Sequence, residues 1–298
     1  MKYIGEIAGV MTSVFYAINA VVITKATEKT GSVITNRMRV AFAFLYLVII
    51  NLILFRQPLP FDAGSDRWMW LSLSGVIGLA LGDAFLFQSY VLVGARIGAL
   101  LLSLSTIFGV LEAWLIFGET LRAGQMLGIA LALAGIIWVV TERGNGKDQG
   151  AHHVIPGITF GILSAICNAT GLVLSRQGMA GNFSPFQANG IRMLAALLAL
   201  ILIMVFQKQT GQTFRILQKN SSALRLLALA ALIGPVLGVS SSLLAVQHTE
   251  IGVASVLTSL PPVFMLPISY FFFKERLSWQ AIAGTILAMI GVAILFIT

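Results

Sequence analysis

The sequence predicts an all-α polytopic membrane protein: ten transmembrane helices in two inverted five-helix repeats around a central cavity. Composition is the first reason. Of 298 residues, 58% are hydrophobic and 10% charged, and the mean hydropathy is +0.93. A soluble fold carries roughly a quarter charged residues, so this chain has too little polar surface to face water. Run length is the second reason. Ten apolar runs approach the ~20 residues that a helix needs to cross the hydrocarbon core. Repetition is the third. FGETL, from Phe117 to Leu121, returns as FKERL, from Phe273 to Leu277, each string ending one apolar run and opening another.

The runs fall near Ile4–Ile23, Ile34–Phe55, Met69–Leu92, Ile97–Phe117, Ala123–Val140, Ile155–Leu174, Pro185–Phe206, Leu224–Val246, Gly252–Phe273 and Trp279–Ile297. None alternates with period two, which argues against a barrel. Gly, Ala and Ser recur through them, as helices packed closely in lipid require. The first run lacks a basic flank and cleavage site and reads as a retained helix. The single cysteine, Cys167, rules out an internal disulfide framework and reads as a small packing residue.

Two polar stretches punctuate the runs: Glu142–His153 and Gln207–Ser222. The first holds Gly144, Gly146 and Lys147 but is no phosphate-binding loop, because Thr141 stands where a glycine is needed and Asp148 follows the lysine. His152 and His153 lack the i, i+4 spacing of a helical zinc pair and read as solvated. No metal site, catalytic constellation or cofactor is therefore expected. The basic residues, net +8, form no regular nucleic-acid-binding patch, so nucleic acid is not an expected partner.

The repeat extends beyond the two corners. The offset of 156 between Phe117 and Phe273 also relates Gly82 to Gly238, Gly128 to Gly284 and Gly135 to Gly291. Earlier in each half it shortens to 152 for Gly9 and Gly161, and to 153 for Asn36 and Asn189 and for Arg39 and Arg192. The chain thus divides into a first unit, 1–141, a linker, 142–154, and a second unit, 155–298. Five crossings are an odd number, so the second unit enters the membrane from the opposite side. The two are then inverted about an axis in the membrane plane.

Glycine-rich runs with a G/K-E-x-L corner repeated in register, and an Arg in the second helix of each half, resemble the EamA-type members of the drug/metabolite transporter superfamily. The resemblance covers nearly the whole chain. It implies a basket of ten helices around a cavity, cytoplasmic termini, and transport of small metabolites, often export of amino acids or related compounds. Pro261 and Pro262 in the ninth run fit the family, but the matching first-half residues are Ser105 and Thr106. The ninth helix should therefore bend or open there, with the fourth straighter. Lys and Arg counted outside the runs point the other way on orientation and favour termini outside.

Polar residues inside apolar runs are costly and usually face an interior or a water-filled cavity. Asp83 is the sharpest, with Phe87 and Tyr90 at i+4 and i+7 on one face. An acid beside two aromatics suits an amine or planar substrate, and a carboxyl drawn out of water suits proton coupling. The alternative is an acid hydrogen-bonded to neighbouring backbone or to an Arg, fixing helix packing. Glu112 is a second proton-coupling candidate; Glu119 and Glu275 read as helix-end capping residues. Tyr16, Asn19 and Asn168, in the partner first and sixth runs, either line the cavity or bond helix to helix. Asn36 with Arg39, and Asn189 with Arg192, share helix faces; their presence in both halves favours structural work over gripping a substrate carboxylate.

The expected activity is a secondary transporter exporting small metabolites, such as amino acids, across the plasma membrane by alternating access. An uncoupled facilitator or exchanger is the alternative. An intramembrane enzyme would need a nucleophile with its base or a metal cluster, and a structural membrane protein would not need Asp83 in mid-membrane. The expected partners are a small-molecule substrate and the lipid bilayer, with the chain acting as a monomer or homodimer.

Overall fold

Lipid offers the backbone no hydrogen-bond partner, so each apolar run must satisfy its own amides as a helix. The computed structural model describes residues 3–117, 123–144, 154–181, 183–208, 221–248, 257–272, 274 and 277–297; among them are helices and short turns, without strands. The first crossing is α1 (Ile4–Thr30) and the second α2 (Ser32–Phe55). Gly31 alone joins them at φ 80°, a conformation that suits glycine, while its N–H caps the Thr27 carbonyl at 2.7 Å.

The third crossing is composite: α3 (Ser65–Ser74), a π-helical turn (Gly75–Gly82) and the start of α4 (Asp83–Leu102). Gly94 breaks α4 at φ 83° and ψ 161°. The chain folds back there, since Gly98 lies against the Tyr90 ring, where a Cβ would come within 2.4 Å of it. Ala95 onward therefore opens the fourth crossing, which α5 (Leu104–Phe117) completes. The fifth is α6 (Ala123–Gly144), the sixth α7 (Val154–Gly178) and the seventh α8 (Pro185–Phe206). The eighth repeats the composite build: α9 (Ser221–Ala231), a π-helical turn (Leu232–Gly238) and α10 (Val239–His248). The ninth includes α11 (Pro261–Phe272), and α12 (Trp279–Ile297) is the tenth.

Among the described residues, seven helical stretches are long and apolar enough to cross a membrane, one of them being the doubled Ser65–Gly109; Pro261–Phe272 and Trp279–Ile294 are shorter and apolar. Their outward faces carry large apolar side chains such as Leu45, Ile53, Leu115, Ile137 and Phe206, as lipid contact demands. The chain is a multi-pass membrane protein. The polar stretches 145–153 and 209–220, and the corner residues Gly118–Arg122, Glu275 and Arg276, lie outside the described residues.

The packing repeats as the sequence does. The sixth crossing packs on the third and fourth, and the first crossing packs on the eighth and ninth. The second meets the seventh and the fifth meets the tenth, so every one of these contacts has its image in the other half. At the fifth–tenth pair the backbones touch. A Cβ on Gly135 would stand 2.4 Å from the Ala288 nitrogen, and one on Gly291 would stand 2.3 Å from the Ala132 nitrogen.

The ninth crossing opens beside its proline pair as expected, but the structure differs from expectation in the fourth. Both are interrupted, at the matched residues Ser103 and Ser259. Pro261 and Pro262 do not kink a helix but open one, the position where a missing N–H costs least. In the fourth crossing the Ser103 hydroxyl bonds back to the Leu100 carbonyl at 2.6 Å, competing with the helical ladder without any proline. The Ser103 N–H still reaches the Ala99 carbonyl at 3.3 Å and that of Leu100 at 3.2 Å.

Candidate functional site

The two π-helical turns organise the centre of the molecule. A π turn detaches a backbone carbonyl from the i, i+4 ladder, and such a carbonyl in a membrane needs a donor. Asn36 supplies it in the first half: its Nδ2 donates to the Ala80 carbonyl at 2.9 Å and to that of Leu79 at 3.4 Å. Asn189 does the same in the second, donating to the Pro235 carbonyl at 3.3 Å. Leu79 and Pro235 are 156 apart, so the two bonds are images. This explains why both asparagines are buried in apolar helices.

One helical turn after each asparagine stands an arginine, and here the halves part. Arg39 is buried and its Nη2 donates to Asp83 Oδ2, an ion pair between the second and third crossings. Its guanidinium also lies over the Phe87 ring, 5.1 Å from the centroid. Phe87 and Tyr90 are themselves adjacent, with ring centroids 6.2 Å apart. Val239 stands where the second half would hold Asp83. Arg192 accordingly has no hydrogen-bond or ion-pair partner among the described residues, and its Nε is buried without an acceptor.

These groups surround a cavity of about 310 Å³ between the halves. Tyr16, Asn19, Asp83, Phe87, Tyr90 and Asn168, singled out in the sequence, all line it. Close approach places three of them. Tyr16 lies against Gly238, Asn168 against Gly82 and Asn19 against Gly234, where a Cβ would come within 2.6, 2.9 and 2.5 Å respectively. The first two contacts are images of one another. Asn168 also donates to the Ser164 carbonyl at 3.0 Å, which orients its amide. Pro261 and Pro262 line the cavity at the ninth-crossing break, and Thr106 Oγ1 and Ser259 Oγ meet at 3.4 Å beside it.

Glu112 does not line this cavity. It lies on α5, two turns beyond Ser105, and accepts a 2.8 Å bond from Thr170 of the sixth crossing. Asp83 also differs from a lone acid: Arg39 neutralises it. The largest change concerns Arg192, which the repeated Asn/Arg pattern groups with Arg39 as structural. The structure aligns Arg192 with Arg39 in position but not in bonding, and Arg192 lines the cavity. The signal was present in the sequence, in the substitution of Val239 for an acid at the matched position.

A repeated helical fold with apolar outer faces, around a largely apolar central cavity that carries a few charged and amide side chains, has the architecture of a membrane transporter. Its family is equally definite. The sequence profile of the EamA-like transporter family matches residues 3–141 and again 155–297, and the chain belongs to that family. A protein of Clostridium kluyveri described as an uncharacterized transporter is 28% identical over 141 residues, 47% of this chain and 44% of that one. The match thus spans less than half the length of that relative. A solved crystal structure superposes with a TM-score of 0.64 over 99% of this chain and 96% of that chain, at 16% identity, a likeness of fold.

Proposed function

We infer that the chain is a secondary transporter that exports small metabolites, amino acids or related compounds among them, across the plasma membrane by alternating access. The observation that carries this is the cavity between the repeats, edged by the two interrupted helices. Two packings of one repeat against the other would open it to either side in turn. The site is Asp83, Phe87, Tyr90, Tyr16, Asn19 and Asn168, with Pro261 and Pro262 at the gate; the partners are a small-molecule solute and the bilayer, and the chain acts as a monomer or homodimer. Asp83 is the first candidate for proton coupling and Glu112 the second.

The uncoupled facilitator or exchanger has its own support. Arg39 already engages the Asp83 carboxylate as an ion pair between the second and third crossings, a structural use of the acid. One experiment addresses both readings. Cells expressing the transporter are compared with vector controls by metabolite-resolved efflux, and the exported compounds are then followed in proteoliposomes with and without a pH gradient. Faster efflux that the gradient drives supports coupled export. Gradient-independent flux supports the facilitator, and no flux of any compound overturns transport.

A further inference from the structure

We propose that Arg192 is the carboxylate-binding subsite of the cavity and that the transported solute is a small compound bearing a carboxylate. The proposal deepens the transporter reading and rests on it.

Symmetry inside the chain carries the argument. In the first half, the arginine that follows the capping asparagine is met by a carboxylate, Asp83, directly after the π turn. In the second half the same arginine follows the same kind of cap, and Val239 occupies the carboxylate's place. The backbone geometry is kept while the counter-charge is missing. Asp83 thus shows, within one molecule, what the Arg192 position is built to receive. Because Val239 cannot supply it, the carboxylate comes from the ligand.

Charge and space agree. Among the described residues that line the cavity, Arg39, Asp83 and Arg192 are the charged ones, leaving one positive charge over. An unpaired cation in so small a volume is costly, and a monoanion entering the cavity removes that cost. A guanidinium presents paired donors that match a carboxylate in its plane. A dianionic phosphate ester would instead leave one negative charge over. Arg192 is held in place by close packing, since its backbone carbonyl presses on Gly75, where a Cβ would come within 2.2 Å.

The test uses the purified full-length protein and equilibrium dialysis against a defined mixture of small carboxylic acids, amino acids, the amides of both, and phosphorylated sugars. The wild-type protein should retain one or more carboxylates and not their amides. Arg192→Gln should weaken that retention roughly ten- to a hundredfold, the span expected when a charge-assisted bond is lost. Val239→Asp rebuilds the first-half pair in the second half and should weaken it as much, by occupying Arg192 from within. Val239→Asn, of the same shape but uncharged, should retain binding, and Arg192→Lys should be intermediate. Equal retention of acid and amide, retention of phosphorylated compounds in their place, no retained carboxylate, or unchanged binding in Arg192→Gln and Val239→Asp overturns the proposal. The acid-against-amide comparison needs no variant, so a misfolded mutant does not blunt it. Liposome flux is scored separately: binding without flux removes the transport cycle and leaves the subsite standing.

Discussion

Arg39 and Arg192 occupy matched positions, each three residues after an asparagine that caps a π-helical turn, yet only Arg39 is ion-paired. Both line the cavity, but one arginine is paired within the first half and the other is left without a counter-ion among the described residues. An inverted repeat supplies the scaffold twice, and a single substitution between copies divides the work.

Removing the charge from Asp83 should therefore strike stability first. Asp83→Asn leaves the Arg39 guanidinium buried without a counter-ion, and breaking one side of a buried pair costs about 3–5 kcal/mol. A clear drop in the unfolding temperature of the detergent-purified protein is expected, and the double variant Arg39→Gln with Asp83→Asn should recover much of it. A single variant as stable as wild type would show that the pair contributes nothing.

The crossings were legible in the sequence because hydropathy and length are read directly against bilayer thickness. The repeat was legible because glycines at helix contacts, such as Gly135 and Gly291, tolerate no Cβ and so recur at fixed spacing. Asp83, Phe87 and Tyr90 could be placed on one face because helical spacing alone decides that. The partner of Asp83 could not be fixed, since Arg39 lies on another helix and only tertiary packing brings the two together. Nor was the role of Asn36 and Asn189 visible: they answer π turns, a change of hydrogen-bond register that residue patterns carry only faintly. The break at Ser103 carries no proline to announce it; a serine hydroxyl bonded to the Leu100 carbonyl accompanies it instead, and serine is common throughout these helices.

The two caps should be separable by degree. Asn36→Ala strands carbonyls that have one good and one long bond, and Asn189→Ala strands one with a long bond. A lost hydrogen bond that leaves a buried polar group unsatisfied costs about 1–3 kcal/mol. Thermal unfolding should show the larger loss for Asn36→Ala and near-additive losses in the double variant. Equal, negligible shifts would mean that the π turns satisfy their carbonyls by other means.

Contact between the fifth and tenth crossings should be intolerant of any side chain. At Gly135 the neighbouring atoms are backbone of Ala288 and Gly284, which cannot rotate away. Gly135→Ala should separate α6 from α12 and cut the yield of monodisperse protein. Gly109→Ala is the matched control: nothing lies within 4 Å of a Cβ there. Helix propensity favours that change by roughly 0.5–1 kcal/mol. Size-exclusion profiles of the two variants, made side by side, check this; similar profiles would refute the close-contact argument.

The interrupted helices give the transport cycle a handle. Thr106 of the fourth crossing and Ser259 of the ninth approach within 3.4 Å through their hydroxyls, next to the cavity. If the halves rock against one another, the distance between these residues must change during each cycle. A tether between them should then stop flux without emptying the cavity of ligand. The variant carries Thr106→Cys and Ser259→Cys in a Cys167→Ala background, which removes the one native thiol. A short thiol-reactive cross-linker should reduce liposome flux at least tenfold, while ligand retention in dialysis changes little. A linker containing a cleavable disulfide should restore flux on reduction. Each single-cysteine variant, treated alike, should keep its flux, which separates tethering from simple modification. Complete cross-linking with undiminished flux would place the moving parts elsewhere and remove the fourth and ninth crossings from the gate.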